Sequence, residues 1–530
     1  MHASELYLLG VFFALLVTIC PIVGSYFSYV FNRPIHPIEG LFYRATRVSV
    51  APMNWKQYLS ALLIFQGLGL LTLLIILQFN ARGRIPIDLA INISTSFVTN
   101  TDWQAYAGES TLSYLSQTLG LTVQNFLSAA TGFAVLLAFI RGLQRSETSE
   151  LGNFWVDITR IIFCVLLPGA FILAITLVSQ GAIQNFSEYI EAISVEGFKQ
   201  ILPMGPAASQ TAIAVLGGNG GGFFGQNLTH PFVNPSELSN FVLMSAVLIL
   251  PAALVYFYGL QTSKRQARVI ICVMLGLFLL FYICCLFFHS KLGSLEGQEI
   301  RFKTIGTLLM NTLSTATSNG SVNAMLESLS PLTNGLMMLQ IMLGEIIFGG
   351  VGSGLYGMLL FVLLTVFLSG LMIGRTPEYL GKKIEAPEMQ LILVAILLPG
   401  IVTLTAAGIT CLKLSGGHSL SQILYAFTST TNNNGSALGG LDANTMYFNL
   451  ALSITMLLGR FGTIVPVLMI AGIMARKRCL EPELRTFETD TLLFGVLLAS
   501  VILLIGALTF LPGWFLGPLL EQVTLMGAQK

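Results

Sequence analysis

Ten apolar runs, each long enough to cross about 30 Å of hydrocarbon, leave this chain few architectures to choose from. They cover residues 6–31, 58–79, 123–140, 154–178, 241–258, 269–288, 336–373, 391–411, 448–474 and 492–511. The first run is longer than a signal-peptide core, follows no basic residue and lacks a small-residue cleavage pattern, so it reads as a retained span. A 54% hydrophobic, 10% charged composition and a mean hydropathy of +0.78 point the same way. The predicted fold class is an all-α integral membrane protein with ten transmembrane helices. A net charge of +1 gives no reason to expect a nucleic-acid partner. The seven cysteines have neither metal-like nor disulfide-framework spacing and read as small apolar residues. His2, His36, His230, His289 and His418 are scattered near span ends and form no metal set.

Four stretches are too polar for these surroundings: residues 98–102, 217–222, 317–321 and 430–436. Aligned on Asn100, Asn219, Asn319 and Asn434 they are separated by 119, 100 and 115 residues, which reads as one unit repeated four times. Each follows a short apolar segment of helical character, at 87–97, 207–216, 303–313 and 420–427. Each unit is predicted to be a span, a short helix, a polar loop and a returning span. The units divide as 55–145, 146–264, 265–387 and 388–486. Residues 1–54 add a flanking span with its cytoplasmic loop, and 487–530 a flanking span at the other end. Two spans per unit make successive units point the same way, so the pseudo-symmetry axis runs along the membrane normal and the four loops converge on one pore.

Lysine and arginine set the orientation. With the N-terminus outside, the inner loops hold sixteen basic residues, among them Arg33, Lys264, Arg268, Lys382 and Arg485. The outer segments hold eight, among them Arg82, Lys291, Arg301 and Lys530. Both termini, and all four polar stretches, are therefore expected on the outer side.

Non-helical backbone survives at membrane depth only where it lines a wet cavity or is buried in protein. Glycine lets such a loop aim successive carbonyls inward, and rings of carbonyls replace the water shell of a monovalent cation. Any one Gly-Asn loop reads equally well as a tight turn; recurrence at the same place in four units favours a selectivity filter. Residues 218–223 superficially resemble a nucleotide loop, but no strand precedes them and no acidic residue follows at the expected distance. The chain also lacks a Gly-Lys-Ser/Thr loop and an Asp-Lys-Thr-Gly phosphorylation site, so no ATP-hydrolysing motif is found in it.

The stretches 99–104 (TNTDWQ), 217–224 (GGNGGGFF), 344–357 (GEIIFGGVGSGLYG), 374–383 (GRTPEYLGKK) and 432–436 (NNNGS) together resemble the potassium-binding A subunits of bacterial Kdp potassium-transporting ATPases, over essentially the whole chain. The resemblance implies a fold from a superfamily of potassium transporters built of four fused channel-like units. It implies potassium as the transported ion, a P-type ATPase subunit as partner, small accessory subunits, and the bacterial inner membrane as location. The chain would then be the potassium-binding and translocating subunit of an ATP-driven high-affinity import complex. The alternative is a stand-alone potassium channel or ion-coupled symporter of the same superfamily, which needs no ATPase.

The expected filter comprises Thr99, Asn100 and Thr101; Gly218, Asn219 and Gly220; Ser318, Asn319 and Gly320; and Asn433, Asn434 and Gly435, acting mainly through backbone carbonyls. Asp102 and Gln104 are expected at the filter mouth. Asp102 departs from the family pattern, where Asn is frequent, and a carboxylate there bears on cation attraction. Arg460 interrupts an apolar span, where a charge costs at least ~2.5 kcal/mol and must face the bundle interior or a partner. It is expected beneath the filter as a barrier to leakage; the competing reading is a structural ion pair with Glu345. Glu345, Gly349, Gly350, Gly352 and Gly354 lie in the over-long seventh run, where glycines let a helix open into a gating loop. The competing reading there is close helix packing.

Overall fold

A computed structural model describes residues 3–289, 298–414, 418–479 and 488–528. His2, Lys291, Arg485 and Lys530 lie outside the described residues. Among the described residues, ten helices are long and apolar enough to cross a membrane. They are Tyr7–Asn32, Trp55–Gln78, Ser116–Gln144, Phe154–Ser179, Glu237–Gln261, Lys264–His289, Ser353–Met372, Ala386–Lys413, Met446–Arg476 and Leu492–Met526. All ten expected spans are present. The seventh run is interrupted as expected, but the break is wider than its glycines. Pro331–Met342 and Ser353–Met372 are separate helices, and the intervening segment takes positive φ at Gly344, Phe348, Gly349 and Gly352.

Helix starts are written locally. Asn54, Ser236 and Ser419 each accept from backbone N–H groups of the first turn, and the residue three places on returns the bond to the cap, forming capping boxes. Between each outer span and its returning span lies a short helix: Ile87–Val98, Ala207–Leu216, Thr304–Ala316 and Leu420–Thr431. The returning spans form the inner layer, with 56–83% of their central windows buried against 28–44% for the spans that open each unit. The first and last spans are the flanking helices, at 22% and 28%. Low burial of apolar helices is what lipid contact permits, because lipid tails are as apolar as the side chains.

The short helices sit inside this ring and are almost wholly buried despite their polar content. Some of their hydroxyls and amides find partners on neighbouring helices. Asn92 donates to the Asn449 carbonyl (2.9 Å), the Thr430 and Thr455 hydroxyls lie 3.0 Å apart, and Thr315 donates to Gln340 (2.7 Å).

At the opposite, basic end of the bundle, the inner spans are tied by charged groups. Arg141 grips Asp157 with two hydrogen bonds (2.6 and 2.8 Å), and the Tyr58 hydroxyl lies 2.9 Å from the same carboxylate. Beside them, a hairpin pairing Glu378–Tyr379 with Lys382–Lys383 pushes Lys382 into the protein, fully buried. Its ammonium donates to the carbonyls of Gly142 (3.0 Å), Met474 (2.8 Å) and Arg145. Those carbonyls terminate the third and ninth spans, where the helix dipoles favour a cation. Burial pushes the Lys382 pKa down to about 8, which still leaves it mainly protonated at neutral pH. Lys382→Met keeps the aliphatic stem and strands three buried carbonyls, which should cost roughly 2–4 kcal/mol. A clearly lowered unfolding temperature of the detergent-purified protein is expected; an unchanged one would remove the ammonium from any part in holding the two helices.

Candidate functional site

All four short helices end in the same way. Thr99, Gly217, Thr317 and Asn432 are the C-caps. The next residue takes a left-handed conformation in every case: Asn100 (φ 65), Gly218 (φ 68), Ser318 (φ 48) and Asn433 (φ 50). The residue after that donates its N–H five positions back: Thr101 to Ser96, Asn219 to Ala214, Asn319 to Ser314 and Asn434 to Ser429, at 2.8–3.0 Å. This is the Schellman termination. It turns the chain sharply and leaves the negative ends of four helix dipoles aimed at one place, which favours a cation there.

The shared geometry corrects the asparagine alignment in the first loop by one residue. Asn100 corresponds to Gly218, Ser318 and Asn433; Thr101 corresponds to Asn219, Asn319 and Asn434. The reason is that the left-handed turn, not the asparagine, is what the four loops have in common. Asp102 (φ 52) therefore takes the place held by Gly220, Gly320 (φ 77) and Gly435 (φ 91).

These glycines stand against carbonyls of other loops. A Cβ on Gly220 would lie 2.6 Å from the Asn319 carbonyl oxygen and 2.9 Å from that of Asn434. On Gly320 it would strike the Asn434 carbonyl, and on Gly435 that of Thr101. Three carbonyl oxygens from three different loops thus crowd a space that no side chain can share. That is the arrangement needed to surround a desolvated cation with backbone oxygens.

The side chains face sideways and lace the loops together. Asn219 donates to Asn100 (2.7 Å), and Asn100 donates to the Gly218 carbonyl (2.9 Å), joining the first and second loops. Asn319 donates to the Val215 carbonyl (3.1 Å), joining third to second, and Asn434 to the Ser314 carbonyl (3.1 Å), joining fourth to third. Asn433 donates to the Thr101 hydroxyl (2.8 Å) and closes the circle. The Thr99 hydroxyl lies 2.8 Å from that same Thr101 hydroxyl.

Gln104 pairs reciprocally with Gly222, at 3.2 and 3.1 Å, and so ties the first loop to the second at their outer ends. Asp102 differs from its expected position at an open mouth: it is 2% exposed and sits behind the loop. With the Asn125 amide turned to suit its neighbours, Asn125 donates to the Asp102 carboxylate at 2.9 Å. A carboxylate held there by the third span does not face solvent.

On the other side of the loops, Glu345, Ser353, Tyr356, Asn433 and Arg460 line a cavity of about 70 Å³, room for more than one water-sized species. Arg460 is 5% exposed and donates to the Ser128 carbonyl at 3.3 Å. Arg460 and Glu345 share the cavity wall, but no ion pair within 4.0 Å joins them, so the direct pairing considered above is not formed. The broken seventh segment closes over this region. Gly349 donates to the Ala316 carbonyl at the end of the third short helix (3.0 Å). A Cβ on Gly352 would enter the backbone of Gly132, one on Gly354 would meet the Phe348 carbonyl, and one on Gly350 would lie 2.6 Å from the Ser353 hydroxyl. The glycines therefore serve close backbone approach, Gly349, Gly350 and Gly354 within the segment and Gly352 against the third span.

Ser128 was not singled out from the sequence. Its hydroxyl donates to Asn100 (2.9 Å) and lies 3.1 Å from the Asn219 amide, while its carbonyl receives Arg460. A signal existed: Gln117, Gln124, Asn125, Ser128 and Thr131 form a polar stripe at helical spacing in an otherwise apolar span, and all are buried.

The family model described as the potassium-transporting ATPase A subunit matches residues 10–523. The potassium-transporting ATPase potassium-binding subunit of Pseudomonas entomophila (strain L48) is 46% identical over 564 residues, covering 99% of this chain and 100% of that protein. The subunit of the same name from Edwardsiella ictaluri (strain 93-146) is 46% identical over 558 residues, covering 99% and 98%. Among solved structures, the potassium transporter TrkH from Vibrio parahaemolyticus superposes with a TM-score of 0.56 at 16% identity, covering 78% of this chain and 84% of that one, a likeness of fold. With Schellman-ended helices, a glycine-lined ring of carbonyls and this match along nearly its full length, the chain belongs to the KdpA family of potassium-transporting ATPase A subunits.

Proposed function

We propose that this chain selects potassium at the four-loop ring and delivers it to an ATP-hydrolysing partner, as the potassium-binding and translocating subunit of an ATP-driven import complex. The observation that carries the reading is the crowding of the Asn319, Asn434 and Thr101 carbonyls around glycines at the ends of four convergent helices. Potassium sheds water at the outer mouth, where carbonyl oxygens of residues 100–102, in the corrected register, 218–220, 318–320 and 433–435 replace its hydration shell. It then enters the cavity beside Asn433 and meets Arg460. At an effective dielectric of ~20, a unit charge about 4 Å away opposes a cation by roughly 4 kcal/mol, enough to discourage free passage. The loop carrying Gly349, Gly350, Gly352 and Gly354 acts as the gate.

The partner is a P-type ATPase subunit with small accessory subunits, and the nucleotide is bound there rather than by this chain. The basic bias of the loops supports both termini outside, and kinship with subunits of bacterial ATPases supports the bacterial inner membrane. The four units run over 55–145, 146–264, 265–387 and 388–486, with 1–54 and 487–530 as flanking segments.

Gly220→Asp puts a side chain where two carbonyl oxygens lie within 3 Å of its Cβ. In the complex purified through this chain, the potassium concentration for half-maximal ATP hydrolysis should rise roughly tenfold or more, with loss of preference over sodium. An unchanged potassium dependence would remove these loops from ion selection. Absence of any co-purifying ATPase, with potassium conduction by the chain alone, would instead favour a channel.

Arg460→Ala removes the charge lining the cavity. Proteoliposomes carrying the variant complex should leak potassium down its gradient without ATP, where the native complex does not. If affinity and leak are both unchanged, Arg460 is not the barrier.

A further inference from the structure

Away from the filter, the first, fifth and sixth spans flank an open-sided cavity of about 400 Å³, in the size range of ligand sites. Its walls are apolar, with Leu16 and Val17 on the first span, Ala252 and Val255 on the fifth, and Ile271 and Leu275 on the sixth. One end is different. Lys264 and Arg268 stand one turn apart at the start of the sixth span and line the same cavity. Both are exposed, and among the described residues neither takes part in a hydrogen bond or ion pair, whereas Arg265 between them reaches Asp490 at 3.8 Å. The first turn of that helix holds no acidic residue.

Depth and charge point to the occupant. From Lys264 to Leu275 the helix rises by about 16 Å, close to half the ~30 Å hydrocarbon thickness, so the cavity has the depth of one leaflet. The apolar walls suit an acyl chain, and the polar end carries two unneutralised cations. At its far side the cavity touches Phe348, in the broken segment beneath the filter.

We infer that this cavity is a site for an anionic phospholipid, its phosphate held by Lys264 and Arg268 and one acyl chain lying between the first, fifth and sixth spans. Basic pockets between spans at the cytoplasmic side recognise such headgroups. The site does not depend on the transport reading, since lipid retention is measured without transport.

The test uses the complex purified through this chain from vesicles of phosphatidylcholine containing a minority of phosphatidylglycerol, with bound lipid read by native mass spectrometry. The native complex should retain phosphatidylglycerol in excess of its share of the bilayer. Lys264→Gln with Arg268→Gln should cut that excess roughly tenfold or more while the complex stays assembled. Ala252→Leu, which fills the groove and leaves the cations in place, should also lower it. A photo-crosslinker at Val17 should then capture lipid. Equal phosphatidylglycerol retention by the native and double-variant complexes would overturn the site. Capture of a subunit's helix by the Val17 crosslinker would assign the groove to a partner and overturn it as well.

Discussion

Lipid offers no hydrogen bonds, and the whole structure answers to that fact. A chain that places four non-helical loops inside a membrane bundle must satisfy their backbone groups from within. The Schellman terminations supply part of the answer, returning the N–H groups of Thr101, Asn219, Asn319 and Asn434 to the helices just ended. The asparagine amides supply another part, each reaching the backbone or side chain of a different loop or short helix. The carbonyls of Thr101, Asn319 and Asn434 are left standing against glycines of neighbouring loops.

In the proposed filter, this division of labour lets polar residues be abundant around the ion path without coordinating the ion. Backbone oxygens do the coordinating in the proposed filter, and side chains hold the backbone in place. Ser128 belongs to the second group, since it braces Asn100 and Asn219 through its hydroxyl and receives Arg460 on its carbonyl. One residue thus connects the loops to the charge beneath them. The inner ends of the same spans are held by the Lys382 ammonium and the Arg141–Asp157 pair. The rigid ring is therefore clamped from below by charge and laced from within by amides.

The broken seventh segment shows the opposite economy. Its glycines approach other backbones so closely that Gly352 and Gly354 tolerate no Cβ, and four of its residues take positive φ. Such a segment is held by contact with Gly132, Ala316 and the second loop rather than by its own regular hydrogen bonding, which suits its proposed part as a gate. The same segment presents Phe348 to the apolar cavity between the first, fifth and sixth spans.

Hydrophobic run length determined the ten spans, because bilayer thickness sets helix length whatever the packing. Recurrence of Gly-Asn stretches determined that four loops share one geometry, and interrupted apolarity picked out Arg460 and the glycine break, since polar groups at membrane depth are expensive. The tertiary structure decided what spacing cannot carry. It set the register of the first loop, because a left-handed turn can be made by Asn, Gly or Ser and leaves no single residue to align on. It put Asp102 behind the loop instead of at its mouth, because side-chain direction depends on a φ that residue identity does not reveal. It also separated Arg460 from Glu345 and brought in Ser128. A backbone carbonyl belongs to every residue alike, so the identity of a filter built from carbonyls is written in the positions of its neighbours, and those exist only once the chain has folded.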